Sequence, residues 1–401
     1  MYNYYVLKNI MKTIVQNLKL DKPQFIKLKE YSKHSNSLYN CCLYEVKNFY
    51  ENTGQYLGIS KLDKLMQKNK HYKAIPSFHA QQIVRLVDKN YRSFFALLKR
   101  KLAGKYTDKV NPPKYRKPGD FFILVFDNTR IYVKNQKLKL YKDLKPYFNY
   151  EIGKIKQGII KWTGNNFIIH ITYESDKQEK KGDNGKYLSI DFGVNNFASC
   201  VSNVGQSFIV NGRQLKSINQ FYNKNKARLQ SKLKNQKWSK QLQILTNKRR
   251  RRINHFMWSS ISYITKQCLN SNINTIILGY NINWKQNCNI GKVNNQNFQS
   301  IPFADFRQKL QSKCDELGIN LVIIDESYTS KTSFIDNEKP ENTEFVGRRI
   351  KRGLFKTSSG KLVNADCNAA AQIMSKHVIL NRDERDKIGA VIVTPSLINV
   401  V

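Results

Sequence analysis

From Tyr187 to Met374 the chain sets out its apolar residues in an order that few folds accept. Tyr187-Leu188-Ser189-Ile190-Asp191 is a short run suited to a buried strand, and Phe197 to Val201 and Ser207 to Val210 continue it as a three-stranded meander. A long basic helical stretch occupies roughly Ser217 to Leu269, and the apolar run Asn274 to Leu278 reads as a fourth strand. A helix follows from Phe303 to Leu317, then a strand from Asn320 to Asp325, then a last helix beginning near Ala365. The order is therefore βββ, α, β, α, β, α.

This is the order of an RNase H-like fold, and it bounds an α/β domain at 187–376 with a helical insertion at 213–270. Residues 377–401 carry no such pattern and read as a C-terminal tail. The polar, charged run Glu174 to Lys186 precedes the domain as a linker. Upstream the texture differs. A first strand, Thr13 to Leu20, leads into helical territory whose clearest helix starts after Ser77, a suitable N-cap. Its Ala80, Ile83, Val84, Val87, Tyr91, Phe94, Phe95, Leu98 and Leu102 keep a helical period, and Gly104 can end it. Beyond it, Asn111-Pro112-Pro113 and Lys117-Pro118-Gly119-Asp120 are turn signals. The runs Phe121 to Phe126, Arg130 to Val133, Lys137 to Tyr141, Gly158 to Trp162 and Phe167 to Tyr173 then read as a small antiparallel β-barrel. The chain is thus a multidomain α/β protein. A barrel at 1–22 and 105–180 holds an inserted helical module at 23–104, and the RNase H-like domain follows.

Such a fold must also accommodate its charge. Sixty-nine Lys and Arg stand against 29 Asp and Glu, a net charge of +40 that repels itself in the compact state unless a polyanion neutralises it. The basic residues run along the whole chain, which favours long grooves on many phosphates over a single basic arm. Arg85, Arg92 and Arg100 lie between the apolar residues of the clearest helix, and Lys114 and Arg116 lie in the turn-rich segment. In the run Lys248 to Arg252, residues Arg249, Arg250, Arg251 and Arg252 wrap around much of a helical cylinder, so some must meet a partner. Trp284 and Lys285 offer a further pair for stacking or packing. No run is long and apolar enough to span a bilayer, and Met1-Tyr2-Asn3-Tyr4-Tyr5 lacks the layout of a secretory signal. Seven scattered cysteines suggest neither a disulfide framework nor a zinc site, as expected of a cytoplasmic, nucleoid-associated protein.

Four segments carry a resemblance. Ile190-Asp191-Phe192-Gly193-Val194-Asn195-Asn196-Phe197-Ala198, Asn274-Thr275-Ile276-Ile277-Leu278-Gly279, Thr329-Ser330-Lys331 and Asn364-Ala365-Asp366-Cys367-Asn368-Ala369-Ala370 together resemble TnpB, the transposon-encoded RNA-guided nucleases. More distantly they resemble type V CRISPR effectors and Fanzor proteins. The likeness is specific over Tyr187 to Met374 and consistent only in order and texture before it. It implies a RuvC-like nuclease domain, a barrel acting as wedge and a helical recognition module. It also implies a guide RNA from the transposon end and a double-stranded DNA target beside a short adjacent motif. The nuclease-inactive form of the same protein, an RNA-guided DNA-binding repressor, is the alternative. The residue chemistry agrees with the first reading. Asp191 ends a buried strand, where a carboxylate is costly unless a cation pairs with it, and Gly193 lets the backbone turn away. Asp366 opens a helix, which an ordinary N-cap would also do. Two Mg²⁺ ions about 4 Å apart, bridged by carboxylates, can activate a water and stabilise the leaving oxygen of a phosphodiester.

The chain departs from the family in two places. The strand Asn274 to Leu278 ends in Gly279, where the family usually carries a catalytic glutamate. Either the nuclease is dead or another carboxylate substitutes. The next strand ends in Asp325-Glu326, about 4.8 Å away across one strand spacing. Only one of these two can face the site, and Glu326 has the longer reach, so the expected catalytic and metal-holding set is Asp191, Glu326 and Asp366. The second departure is the missing zinc ribbon. Phe334 to Val363 contains no cysteine and reads as a basic, metal-free loop or hairpin whose Arg348, Arg349 and Arg352, with Lys331 before it, touch nucleic acid. Zinc chelation should therefore leave melting temperature and cleavage unchanged, and stoichiometric zinc in metal analysis of the clean protein would refute this.

Overall fold

The computed structural model describes residues 10–142, 144–148, 150–175, 178–233, 238–281, 286, 291–339 and 344–400. Contacts divide the chain into two units, Met1–Asp176 and Lys177–Val401.

In the first unit, strand β1 (Ile10–Asn17) begins a few residues earlier than its apolar pattern suggests. Helix α1 (Lys22–Thr53) follows at once, because Asp21 caps it: the Asp21 carboxylate accepts from the Gln24 backbone N–H, and the Gln24 side chain accepts from Asp21. Helices α2 (Ile59–Met66), α3 (Lys70–Lys73) and α4 (Ser77–Leu102) complete the module. Ser77 is the first helical residue rather than the cap, a place taken by Pro76. The stripe of α4 buries Ala80, Ile83, Val84, Val87 and Tyr91 against Leu38, Cys42 and Val46 of α1. It runs out at Leu102, which is 82% exposed. Strands β2 (Leu124–Asp127), β3 (Tyr132–Lys134), β4 (Lys137–Lys139), β5 (Ile155–Trp162) and β6 (Phe167–Ser175) follow. The main sheet is antiparallel in the order β1-β6-β5-β2, and β3 and β4 form a separate hairpin. The expected barrel is thus an open sheet: among the described residues β1 and β2 are its two edges and no ladder joins them.

The second unit is built on six strands. These are β7 (Tyr187–Phe192), β8 (Asn196–Ser202) and β9 (Gln206–Asn211), then, after helices α5 (Arg213–Ser231) and α6 (Lys240–Asn270), β10 (Thr275–Gly279). Helices α7 (Lys292–Gln299) and α8 (Phe303–Leu317) precede β11 (Asn320–Ile324). Three short strands, β12 (Arg348–Lys351), β13 (Leu354–Lys356) and β14 (Leu362–Asn364), then lead into α9 (Ala365–Ser375), α10 (Arg382–Val391) and β15 (Ser396–Ile398). The sheet order is β11-β10-β7-β8-β9-β15, with β10 parallel to both β7 and β11. Strand alternation gives each face its own core. Leu188, Ile190, Phe192, Ile276 and Leu278 pack on α6 and α8, while Tyr187, Val201, Ile209 and Ile277 pack on α9 and α10.

Two expectations are corrected here. Residues 377–401 are not a tail: an Asn381–Glu384 capping box starts α10, and β15 adds to the sheet beside β9. The segment expected as a basic loop or hairpin forms an antiparallel sheet, β12-β13-β14, anchored by buried Phe355 and Val363. Strands β12 to β15, three or four residues each, have no period of their own, whereas the capping box of α10 was a readable helix start.

Phe197 is fully buried between Phe192, Phe256, Phe303 and Phe306. Phe197→Ala should lower the stability of this unit by about 3–5 kcal/mol, whereas Leu102→Ala should change that of the first unit by less than about 0.5 kcal/mol. Urea unfolding read by circular dichroism checks both.

Candidate functional site

The C-terminal ends of β7, β10 and β11 lie side by side, because those three strands are parallel and adjacent. Whatever chemistry they carry at their ends therefore meets at one rim of the sheet. Asp191 follows Tyr187 and Ser189 in the alternation of β7, which turns it to the α9 face. The chain then doubles back tightly: a Cβ at Gly193 would stand 2.4 Å from the Asn196 carbonyl oxygen, so only glycine fits.

Asp366 comes to the same place from α9. It is not the helix cap; Asn364 is, its side-chain oxygen accepting from the backbone N–H of both Asp366 and Cys367. The Asp366 carboxylate is thereby left for other partners. Its Oδ1 accepts from Arg349 Nη2 at 2.7 Å and its Oδ2 from Asn196 Nδ2 at 2.7 Å.

Glu326 arrives from just beyond β11. The ladder pairs Gly279 with Ile324, and a Cβ built on Gly279 would lie 3.2 Å from Glu326 Oε2 and 2.4 Å from Ile373 Cδ1. The glutamate of the neighbouring strand thus fills the space beside Gly279, and any side chain at 279 would collide with it and with α9. Asp325 is exposed outside the cleft, and hydrogen bonding from the Ser327 side chain and then its backbone N–H holds the carboxyl below the usual carboxylate range. Asp191, Glu326 and Asp366 all line one cleft of about 570 Å³ with Arg213, Thr329, Ser330, Arg349 and Arg352.

Burial pushes the Asp191 carboxyl well above its usual range, the negative charges of Glu326 and Asp366 push it further, and Arg349 opposes them. Burial, and then Asp325, push Glu326 up to about 7, against the pull of Lys376. Glu326 Oε2 is buried with no hydrogen-bond partner among the described residues. An orphaned carboxylate oxygen beside two further carboxylates is the donor chemistry of a hard divalent cation such as Mg²⁺. In this arrangement no three His, Cys, Asp or Glu side chains among the described residues stand close enough to share an ion. The Arg349 guanidinium supplies the positive charge instead.

The basic residues separate into two kinds. Arg85, Arg100, Lys114, Arg250, Arg251, Arg252, Lys331 and Arg348 are exposed, and Arg92 pairs with Asp88 at 2.8 Å. Arg116 and Arg249, expected on phosphates, are instead packing residues. Arg116 donates to Asn36 Oδ1 and the Phe121 carbonyl beneath the Phe122 ring. Arg249 donates to Asn219 Oδ1 and the Ser300 carbonyl over the Tyr222 ring. Trp284 and Lys285 lie outside the described residues. Asn196 and Arg213 are cleft residues that sequence reasoning missed. Asn196 sits inside the first motif and was discoverable there, whereas Arg213 carries no signal.

With the geometry in hand, the chain can be set beside known proteins. Residues 170–285 match the sequence profile of OrfB_IS605, described as a probable transposase, and residues 303–373 match the Cas12f1-like TNB domain. The TnpB-like protein ORF457 of Acidianus two-tailed virus is 26% identical over 380 residues, covering 82% of this chain and 80% of the relative. Among solved structures, the cryo-EM structure of the Cas12f1–sgRNA–target DNA complex aligns over 91% of this chain and 98% of that one, with 15% identity and a TM-score of 0.54. That likeness is one of fold: a multidomain mixed α/β protein.

The raised Glu326 carboxyl makes a prediction about the metal-free protein. A group whose folded pKa lies above its unfolded value stabilises the fold fully below the unfolded pKa, here the ordinary 4.5, and loses that contribution as pH rises through about 7. In chelator, Glu326→Gln should therefore match wild type near pH 4 and exceed it above pH 7, by at most roughly 3 kcal/mol. Thermal melts across that range check the sign.

Proposed function

We propose that this chain, a TnpB-family protein, is an RNA-guided DNA endonuclease whose RuvC-like unit cuts target DNA at the cleft of Asp191, Glu326 and Asp366. The observation that carries the reading is the buried Oε2 of Glu326, without a hydrogen-bond partner among the described residues, set beside Gly279 in a cleft that also holds Asp191 and Asp366. The strand order of the second unit, 3-2-1-4-5 when β7 to β11 are numbered from one, supports the RNase H-like reading of that unit. Asp191, Glu326 and Asp366 would hold Mg²⁺, which when bound supplies an activated water and charge stabilisation on the leaving oxygen. The protein's own residues do the rest. Asn196 orients Asp366 through its Oδ2. Gly193 folds the chain away so that a phosphate backbone can approach Asp191. Arg213, Arg349 and Arg352 place three guanidinium groups around the cleft, where a phosphodiester needs counter-charge.

Guide RNA transcribed from the transposon end would read the target by base pairing, while the protein reads a short adjacent motif as duplex and holds the displaced strand. The net charge of +40 supports long contact with both RNA and DNA. The second reading, an RNA-guided binding protein that does not cut, is favoured by one observation. Arg349 sits on Asp366 and neutralises it without a metal.

The decisive experiment purifies the protein with its bound RNA, sequences that RNA and challenges a plasmid carrying the matching sequence. Cutting should require Mg²⁺ and stop with chelator, and the RNA should be lost steeply as salt rises. Asp191→Ala and Glu326→Ala should each reduce cutting on the order of a thousandfold while leaving target binding nearly intact, and Asp325→Ala should spare it. A wild type that binds its target and never cuts it would establish the second reading instead.

A further inference from the structure

Residues 131–142 and 144–148 of the first unit build a surface that the cleft does not use. Strands β3 and β4 are joined by Asn135-Gln136, both in the left-handed region with φ of 51° and 53°. Such a turn holds two strands in strict register. The chain then returns alongside β4: Leu138 N–H donates to the Pro146 carbonyl, Phe148 N–H to the Gln136 carbonyl, and Tyr147 bridges Lys137. Along this segment burial alternates. Leu138, Leu140, Leu144, Pro146 and Phe148 are buried, whereas Lys137, Lys145 and Tyr147 are exposed.

The register then decides which side chains share the outer face. Tyr132 stands opposite Lys139, and Lys134 opposite Lys137. Directly opposed residues lie on one face of a pair, and so do residues two apart along a strand. Lys134, Lys137, Lys139 and Lys145 therefore form one cationic surface, flanked by Tyr132 and Tyr147, which are 54% and 59% exposed. Partial burial first, and then Lys145, Lys137 and Lys134, hold the Lys139 ammonium below its usual range, as expected of cations crowded together.

Lysines that merely guard a sheet edge have no need to oppose each other. Like charges placed directly across a hairpin weaken it, and none of these lysines meets a carboxylate among the described residues. Among the described residues no carboxylate relieves the arrangement, and an anion from outside the unit would do so. The tyrosines narrow its identity, since their exposed rings offer stacking platforms. Bases inside a duplex are already stacked on each other, whereas unpaired bases are free to stack on an aromatic ring.

We propose that this face binds an unpaired nucleic-acid strand, its phosphates along Lys134, Lys137, Lys139 and Lys145 and its bases on Tyr132 and Tyr147. The surface stands independently of the cleft, so it is tested with the full-length protein in chelator, where no cutting contributes. The probes are labelled oligouridylate, oligodeoxythymidylate and a blunt DNA duplex of the same length, each titrated over a range of salt. Replacing all four lysines by glutamine should reduce the salt dependence of single-strand binding by about 3 in log–log slope, at about 0.7 per phosphate contact. Four arginines at the same positions should retain it. Tyr132→Ala should weaken single-strand binding roughly tenfold with the slope unchanged. Removing opposed charges should leave the melting temperature the same or higher, which separates lost binding from lost folding. A change confined to oligouridylate assigns the surface to RNA, and a change on both single strands assigns it to any unpaired strand. Either supports the proposal. An unchanged slope, or an equal loss on the duplex, overturns it.

Discussion

Carboxylates crowded together away from water repel each other and resist ionisation, and the rim of the second unit's sheet is arranged around that conflict. Asp191 is the most affected, since burial and two neighbouring negative charges act on it together. The structure meets the cost with one guanidinium, Arg349 on Asp366, and one amide, Asn196 on the other oxygen of the same carboxylate. Among the described residues nothing satisfies Oε2 of Glu326. Nothing in packing calls for this arrangement. The cluster carries the desolvation and mutual repulsion of its carboxylates, which an apolar sheet end would not.

The fold explains why these groups meet. Parallel neighbours β7, β10 and β11 bring their C-terminal ends together, and α9 lies across β7 and β8 with its first turn at the same rim. Alanines 370 and 371 let α9 lie close to the sheet, and Ile373 fills the space over Gly279. A glutamate at 279 would need that space. Glycine at the end of β10 thus leaves room for the Glu326 side chain from the end of β11.

Charge plays a different part elsewhere. Some arginines, such as Arg116 and Arg249, serve as half-buried cross-braces that donate to carbonyls and lie against rings, using the planar guanidinium as a packing element. Others, including Arg250, Arg251 and Arg252, project outward from α6 and contribute to the field of the molecule. A run of basic residues on one helix thus holds both roles at successive positions, because adjacent helical residues point about 100° apart.

By itself the sequence determined the order of the elements from β7 to β11 and α9, the mixed α and β character of both halves, Asp191 and Asp366 as candidates, and the lack of cysteines between 334 and 363. Those follow from local period, turn chemistry and residue type. It chose Glu326 over Asp325 by the alternation of strand faces and by reach, and the β10–β11 ladder sets Glu326 beside Gly279. Tertiary structure alone made Asn364 the cap of α9, put Arg349 on Asp366, left the N-terminal sheet open and drew β15 into the second sheet. Each of those outcomes depends on which distant segment lies next to which. A short strand or a single side chain carries no information about its partner until the register of a neighbour far along the chain is set.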